Sequence, residues 1–378
     1  MDLRLSEEQQ QFADSLRRWI EKDYTFEARL KIIQSDTGVS QPAYAALTEL
    51  GALALAVPEE AGGMGGSAED LMIVMKEIGR GLVVEPYFAT ILAAEFFKQA
   101  GAHKPILERV AAGDMKLACA LNEKGAGHEL FDIGLAARRD GAGYVLNGAK
   151  CPVVHGGQAD GFVVSVRTGG EQRDRDGITL VYVPRDAQGL TVKDFRTFDG
   201  QRGADLAFAD VRVPASAVVG QAGQGWDILE AVTDYGVALL CAEAVGAIEQ
   251  ANALTLDYLK TRKQFGVPIG TFQVLQHRMA DMYIHQEQAR SITVLAAVKV
   301  QTAAPDERRK LVSAAKVRVG KALQFVGQQA IQMHGGMGMT NEMSISHYFK
   351  RLTAIEMTLG NTGFHRSRFI GQPGFAAV

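Results

Sequence analysis

The run from Ile228 to Tyr258 contains no proline and carries apolar residues on more than one helical face. A helix of that kind has no polar side to offer to water, so it must lie buried among other helices. A second long helical pattern, Arg308 to Met333, closes on Gly335-Gly336, as a helix C-terminus should. The chain is therefore expected to end in a helical domain, over residues 223–378.

The opening of the chain is helical as well. Ser6 stands three residues before Gln9, the spacing of a capping box, and Phe12, Leu16 and Ile20 recur on one face that should be buried. A helix is expected around Gln41 to Leu50, ending at Gly51, and another from Ala68 to Ile78. Between them, Pro58 to Gly66 is too rich in glycine to continue any helix. From about Met115 the period changes. Leu135–Arg139 and Tyr144–Asn147 flank Asp140-Gly141-Ala142-Gly143, which is hairpin chemistry, and Phe162–Val166 and Ile178–Val183 are apolar and rich in β-formers. Pro214 and the glycines at 220, 223 and 225 punctuate the exit. Three domains are expected: helices over 1–114, a compact β domain over 115–222, and helices over 223–378.

Composition narrows the classes. With 378 residues, 47% hydrophobic and 22% charged, the chain can bury a sizeable core. No stretch approaches the roughly 18 consecutive apolar residues of a membrane span, and Met1-Asp2-Leu3-Arg4 runs into Glu7 and Glu8 instead of an apolar signal core. A net charge of -3 lacks the basic excess that nucleic-acid binding uses. Cys119, Cys151 and Cys241 are isolated, matching neither a disulfide framework nor a zinc site. A cytoplasmic protein without metal, nucleic-acid or membrane partner is expected. Gly-x-Gly-x-x-Gly after a strand, a Walker-type loop, His-Glu-x-x-His and Gly-x-Ser-x-Gly are all missing, which takes support from nicotinamide, nucleoside-triphosphate, zinc-protease and esterase readings.

Three segments carry chemistry. Thr261-Arg262-Lys263-Gln264-Phe265-Gly266, followed by Thr271-Phe272-Gln273, offers a guanidinium fork for a pyrophosphate and a ring that could cover a flat cofactor; a basic helix end that complements the macrodipole would look the same. Gln332-Met333-His334-Gly335-Gly336-Met337-Gly338 lets a ligand approach the backbone, or simply stops a helix. Glu59 to Gly66 is either a structural turn or a ligand loop.

In their order and setting, these segments resemble the acyl-CoA dehydrogenase family over essentially the whole chain: Pro-Glu-Glu-x-Gly-Gly-x-Gly at the start, Arg-Lys-Gln-Phe-Gly in the third domain and Gln-Met-His-Gly-Gly-x-Gly after it. Glu77-Ile78-Gly79-Arg80, Asn147-Gly148-x-Lys150 and Val211-Arg212-Val213-Pro214 agree. The stretch Leu256 to Gly266 and the run His347 to Thr353 look most like the small subunits of pimeloyl-CoA dehydrogenase. The resemblance implies an α+β fold: an N-terminal helical domain, a middle β-barrel or sandwich and a C-terminal four-helix bundle. It further implies a tetramer with FAD at a subunit interface, and α,β-desaturation of an acyl-CoA thioester.

The same resemblance exposes departures. The family's usual catalytic glutamate aligns with Leu359, and its alternative base aligns with Gly236, followed by Val237. Asp234 and Gly360 fall at positions that in relatives meet substrate, although a solvated or capping aspartate would look the same at 234. Glu243 and Glu356 are the carboxylates left nearby, although Glu243 lies about two turns, roughly 10 Å, beyond the alternative base position. In the β domain, where relatives hold flavin with a serine, a tryptophan and a threonine, this chain has Leu121 to His128 and Pro152-Val153-Val154. The residues that a relative donates to its neighbour's flavin are retained: Arg262, Gln264, Phe265, Gln273, Gln332, Gly335 and Gly336. One subunit of an α2β2 enzyme is expected, with a homologous partner supplying the base. A homomeric acyl-CoA flavoenzyme with a non-standard base and a non-catalytic scaffold are the alternatives. Gly236 and Val237 leave space for a bulky acyl chain.

Overall fold

The computed structural model describes residues 5–373. Met1 to Arg4, expected to lack a signal core, lie outside them.

The chain runs through α1 (Glu7–Asp23), α2 (Phe26–Gln34), α3 (Gln41–Glu49), α4 (Ala52–Leu55), α5 (Ala68–Gly81), α6 (Tyr87–Ala100) and α7 (Lys104–Ala111). The capping box forms: Ser6 Oγ accepts from the Gln9 N–H at 3.1 Å, and the Gln9 side chain accepts from the Ser6 N–H at 3.0 Å. Two donors that a helix start leaves open are thereby satisfied. The buried stripe of α1 is Ala13, Leu16 and Ile20, with Phe12 only half-buried. Steps of three and four residues follow the 3.6 period more closely than the fours expected, and the small Ala13 takes the inner place.

Seven strands then build one sheet: β1 (Leu117–Ala120), β2 (Ala136–Asp140), β3 (Gly143–Val154), β4 (Gly161–Arg167), β5 (Ile178–Pro184), β6 (Leu190–Arg196) and β7 (Arg202–Pro214). The order is β1-β4-β2-β3-β7-β6, with β5 on the other side of β4. The expected hairpin is present, Asp140 pairing with Gly143 across Gly141-Ala142. β4 is buried from Gly161 through Val166, which explains its unbroken apolar run. Register shifts between β3 and β7 mark bulges that bend the sheet.

The second helical stretch comprises α8 (Trp226–Thr261), a small ribbon of β8 (Lys263–Gln264) and β9 (Val267–Pro268), α9 (Gln273–Lys299), α10 (Pro305–His334), α11 (Ser344–Met357) and α12 (Thr362–Ile370). α8 is long and apolar enough to cross a membrane, but 89% of its most apolar window is buried inside the protein, so it is a core helix.

Packing groups the chain into two compact units. Among the described residues, one holds 5–30, 68–83 and 234–373; the other holds 31–67 and 84–233. In the first, α5 and α8 touch backbone to backbone: a methyl group built on Gly79 would sit 1.9 Å from the Glu243 carbonyl oxygen, and one on Gly246 1.8 Å from that of Lys76. In the second, the Glu59–Gly66 loop proves to be a packed turn. A methyl on Gly63 would sit 2.0 Å from the Val57 carbonyl, and one on Gly66 2.7 Å from that of Leu55. Gly63 and Gly66 serve close packing, while Gly62 and Gly65, at φ +77° and +63°, serve the turn.

Candidate functional site

The segments read as flavin donors sit together at one end of the first unit. Tyr258, one turn before the end of α8, stacks on His334, the last residue of α10, with ring centroids 4.4 Å apart. Arg278 of α9 donates to Gln329 of α10 at 3.2 Å. These contacts bring Arg262, Gln273 and Gln332 onto neighbouring helix ends. His334 Nδ1 lies 2.8 Å from the Ala330 carbonyl, so it carries the proton and donates, while burial lowers the ring's pKa and favours the neutral form.

Arg262, Gln264, Phe265, Gln273, Gln332, Gly335 and Gly336 are all exposed, and no side-chain partner of Arg262 occurs among the described residues. Phe265 is 92% exposed and, with Gly266, forms the two-residue tip of the β8–β9 ribbon at φ +54° and +83°. Positive φ at both places defines a type I′ turn, which suits glycine and strains a phenylalanine by order-of-magnitude ~1–3 kcal/mol. The ring lies outward, meeting only the Phe272 ring edge to face at 6.1 Å among the described aromatic contacts. The sequence signal was available: two residues, the second a glycine, between two short β segments. Gly335, at φ +60° with open space around its Cα, ends α10 with its backbone accessible.

The base positions carry no carboxylate. Leu359 follows α11 at φ +53°, its carbonyl accepting from His365 Nε2 at 2.9 Å, so the unusual backbone persists where an acid is absent. Gly360 is there for lack of room, since a methyl would sit 2.6 Å from His365 Nε2. Gly236 and Val237 are buried in α8.

The remaining carboxylates are engaged. Asp234, expected to meet substrate, is 1% exposed and clasped by two guanidiniums, Arg308 Nε at 2.9 Å and Arg368 at 2.5 and 3.1 Å. Glu243 forms a buried bidentate pair with Arg351 at 2.6 and 2.8 Å. Glu356 accepts from the Thr362 N–H at 2.8 Å, and its other oxygen, buried without a hydrogen-bond partner, faces Gly320 of α10. Lys316, fully buried, donates to the carbonyls of Ile355 and Thr358 at 2.6 and 2.8 Å; burial pushes its pKa down to about 8. These groups brace the chain around Leu359. Arg351, Arg308 and Arg368 left no local signal in the sequence, because each pairs across more than 70 residues. Lys316 did: it lies on the apolar face of α10 between Val312 and Val319.

In the second unit, the Cys151 N–H donates to the Asn122 carbonyl at 2.9 Å, drawing the 121–128 loop against Pro152–Val154. Glu123 is spent on Lys150 at 2.7 Å and on the N–H groups of Gly134 and Leu135. At this place Val154 offers no hydroxyl and Pro152 no indole, so the residues present do not match the donors and stacking ring a flavin would use. The α8–α10 end, with its free guanidinium, exposed ring, amides and accessible glycine backbone, does fit one. Among the described residues no cluster of His, Cys, Asp and Glu could hold a metal.

Comparison with known proteins agrees along the chain. The acyl-CoA dehydrogenase N-terminal, middle and C-terminal domain models match residues 6–114, 118–211 and 223–370. Human mitochondrial short-chain specific acyl-CoA dehydrogenase is 30% identical over 327 residues, spanning 84% of this chain and 78% of that protein. Probable acyl-CoA dehydrogenase FadE25 of Mycobacterium tuberculosis is 28% identical over 374 residues, 96% and 94% of the two chains. Among solved structures, a variant of the Tcur3481-Tcur3483 steroid ACAD superposes with a TM-score of 0.88 at 28% identity, covering 96% of each chain. The chain belongs to the acyl-CoA dehydrogenase family, FAD-dependent oxidoreductases that act on the CH–CH group.

Proposed function

We propose that this chain is one subunit of a heteromeric acyl-CoA dehydrogenase, an α2β2 tetramer in which a homologous partner supplies the catalytic base and the β-domain half of the flavin site. The observation that carries the reading is the double loss of the base, Leu359 at one position and Gly236 at the other, with Asp234, Glu243 and Glu356 committed to other contacts. An α-proton beside a thioester is only weakly acidic, and its removal needs a positioned carboxylate and donors for the developing enolate. None of the three can turn to that task without leaving a buried cation or N–H unpaired.

When bound, FAD supplies the hydride acceptor for the β-carbon. This chain's own part is to hold it in the partner's site: Arg262 through a charge-assisted contact to the pyrophosphate, Phe265 by covering an apolar face, Gln273 and Gln332 by amide hydrogen bonds, and Gly335-Gly336 by bare backbone. The strained Phe265 tip supports the reading, because strain of this kind persists where a side chain must be presented. So does the structural relative whose name joins two polypeptides, Tcur3481-Tcur3483. Free cysteines and a core helix in place of a span favour a cytoplasmic setting. Co-expression with a glutamate-bearing homologue tests the proposal: dehydrogenation of acyl-CoA should require both chains, and robust turnover by this chain alone would favour a homomeric enzyme with a non-standard base.

A further inference from the structure

The segment that joins α10 to α11 carries Gly335 and Gly336 at its head and is fastened near its far end by one histidine. His347, buried on α11, turns one ring nitrogen to Asn341 of that segment and the other to Arg29 of α2. Nδ1 lies 3.0 Å from an Arg29 guanidinium nitrogen, and Nε2 lies 3.0 Å from the Asn341 carbonyl oxygen. A guanidinium only donates and a carbonyl only accepts, so the two neighbours together decide the state of the ring: Nδ1 is bare and Nε2 carries the hydrogen. The contacts that place His347 are those of a neutral imidazole.

Its surroundings enforce that state. Arg29 is fully buried and anchored, its Nε donating to the Leu82 carbonyl at 2.7 Å, so the guanidinium does not withdraw to water. Phe26 of α2 meets the imidazole edge to face, with ring centroids 5.0 Å apart. The charged groups that act on the ring are Arg29 and Lys350, both cations, and Lys350 also donates to the Asn341 side chain at 2.9 Å. Among the described residues no carboxylate offsets them. Burial, with the two cations behind it, holds the His347 pKa below the ordinary 6.5 against the pull of the Asn341 carbonyl. The other titratable ring here, His334 at the head of the segment, faces Tyr258 and no charged side chain. A proton on His347 Nδ1 would set an N–H against the N–H of Arg29 and place two like charges in contact away from water, so the ring must leave and Asn341 loses its tether.

We infer that His347 is a positioning residue for the flavin half-site: as a neutral ring it ties the 335–343 segment, through Asn341, to α2, and in acid it lets that segment go. The inference rests on the reading of Gly335 and Gly336 as backbone donated to a partner's FAD. The fastening itself is tested in the full chain alone, by hydrogen exchange of the 335–343 amides in wild type and His347→Gln. Glutamine offers an N–H to Asn341 and an oxygen to Arg29 but does not titrate, and comparison of the two proteins at one pH cancels the intrinsic pH dependence of exchange. Wild type should exchange about tenfold faster than the variant at about pH 5, and equally at about pH 7.5. The effect on the site is tested in the co-expressed complex, stripped of flavin and titrated with FAD over the same range. Relative to His347→Gln, the wild-type dissociation constant should rise about tenfold for each pH unit below the His347 pKa. His347→Leu, with neither donor nor acceptor, should bind FAD about tenfold more weakly even at about pH 7.5. Parallel pH profiles for wild type and His347→Gln, unchanged affinity in His347→Leu, or FAD binding that tightens in acid would each overturn the inference. Exchange that follows pH as described, while no glutamate-bearing partner restores flavin, would sink the heteromeric reading and leave the fastening in place.

Discussion

Replacing Glu243 by glutamine separates a structural acid from a catalytic one. The carboxylate meets Arg351 at 2.6 and 2.8 Å, with side-chain exposures of 2% and 9%. Glutamine keeps one acceptor and removes the charge, leaving a buried guanidinium without its anion. Breaking a buried pair from one side costs about 3–5 kcal/mol, and the retained hydrogen bond puts Glu243→Gln near the lower limit, about 3 kcal/mol. For a unit of this size that lowers the melting temperature by roughly 6–12 °C. Adding Arg351→Met should recover most of the loss, because both charges are then gone. Thermal and denaturant unfolding read the stability, and turnover per folded complex reads the chemistry. Unchanged stability together with abolished turnover would refute the structural role and make Glu243 a base.

Other sites give independent checks. Gly246→Ala forces a methyl to within 1.8 Å of the Lys76 carbonyl, so α5 and α8 must part; a loss of about 1–3 kcal/mol is expected in denaturant unfolding. For Lys316, the folded pKa of about 8 lies below its ordinary 10.5, so between these values the unfolded chain binds more protons and the wild type gains stability as pH rises. Measured against Lys316→Met, that gain should reach about 1.4 kcal/mol per pH unit between pH 8 and 10.5, and a flat difference would contradict it. Arg262→Ala should weaken FAD binding to the complex about 10- to 100-fold, the worth of a charged hydrogen bond, while the fold is unchanged; a helix-end role predicts equal affinities.

The sequence revealed what local chemistry determines and missed what distant pairing determines. Ser6 with Gln9, Asp140 to Gly143 and the proline-free α8 were legible because capping, turn geometry and periodicity act over a few residues. The retained donors, Phe265 among them, are legible as residue types, whereas the positive φ of Phe265 beside Gly266 is a feature of the fold alone. The clasp on Asp234 is illegible in sequence because its partners Arg308 and Arg368 lie 74 and 134 positions away. No spacing rule reaches that far. The Glu59–Gly66 loop stayed open between turn and ligand loop for a related reason: glycines demanded by the Val57 and Leu55 carbonyls look the same in sequence as glycines that admit a ligand.

The most direct test of the half-site account is the flavin content of the purified proteins. A homomeric enzyme holds one FAD for each chain. On the proposed arrangement one interface site would join the partner's β domain to Arg262, Phe265 and Gln332, while the site that would use Pro152 and Val154 would stay without its donors. The visible flavin absorbance of the chain alone should therefore be negligible, and the co-expressed complex should hold one FAD for each pair of chains. Stoichiometric flavin in the isolated chain, or one FAD for every chain in the complex, would contradict the account.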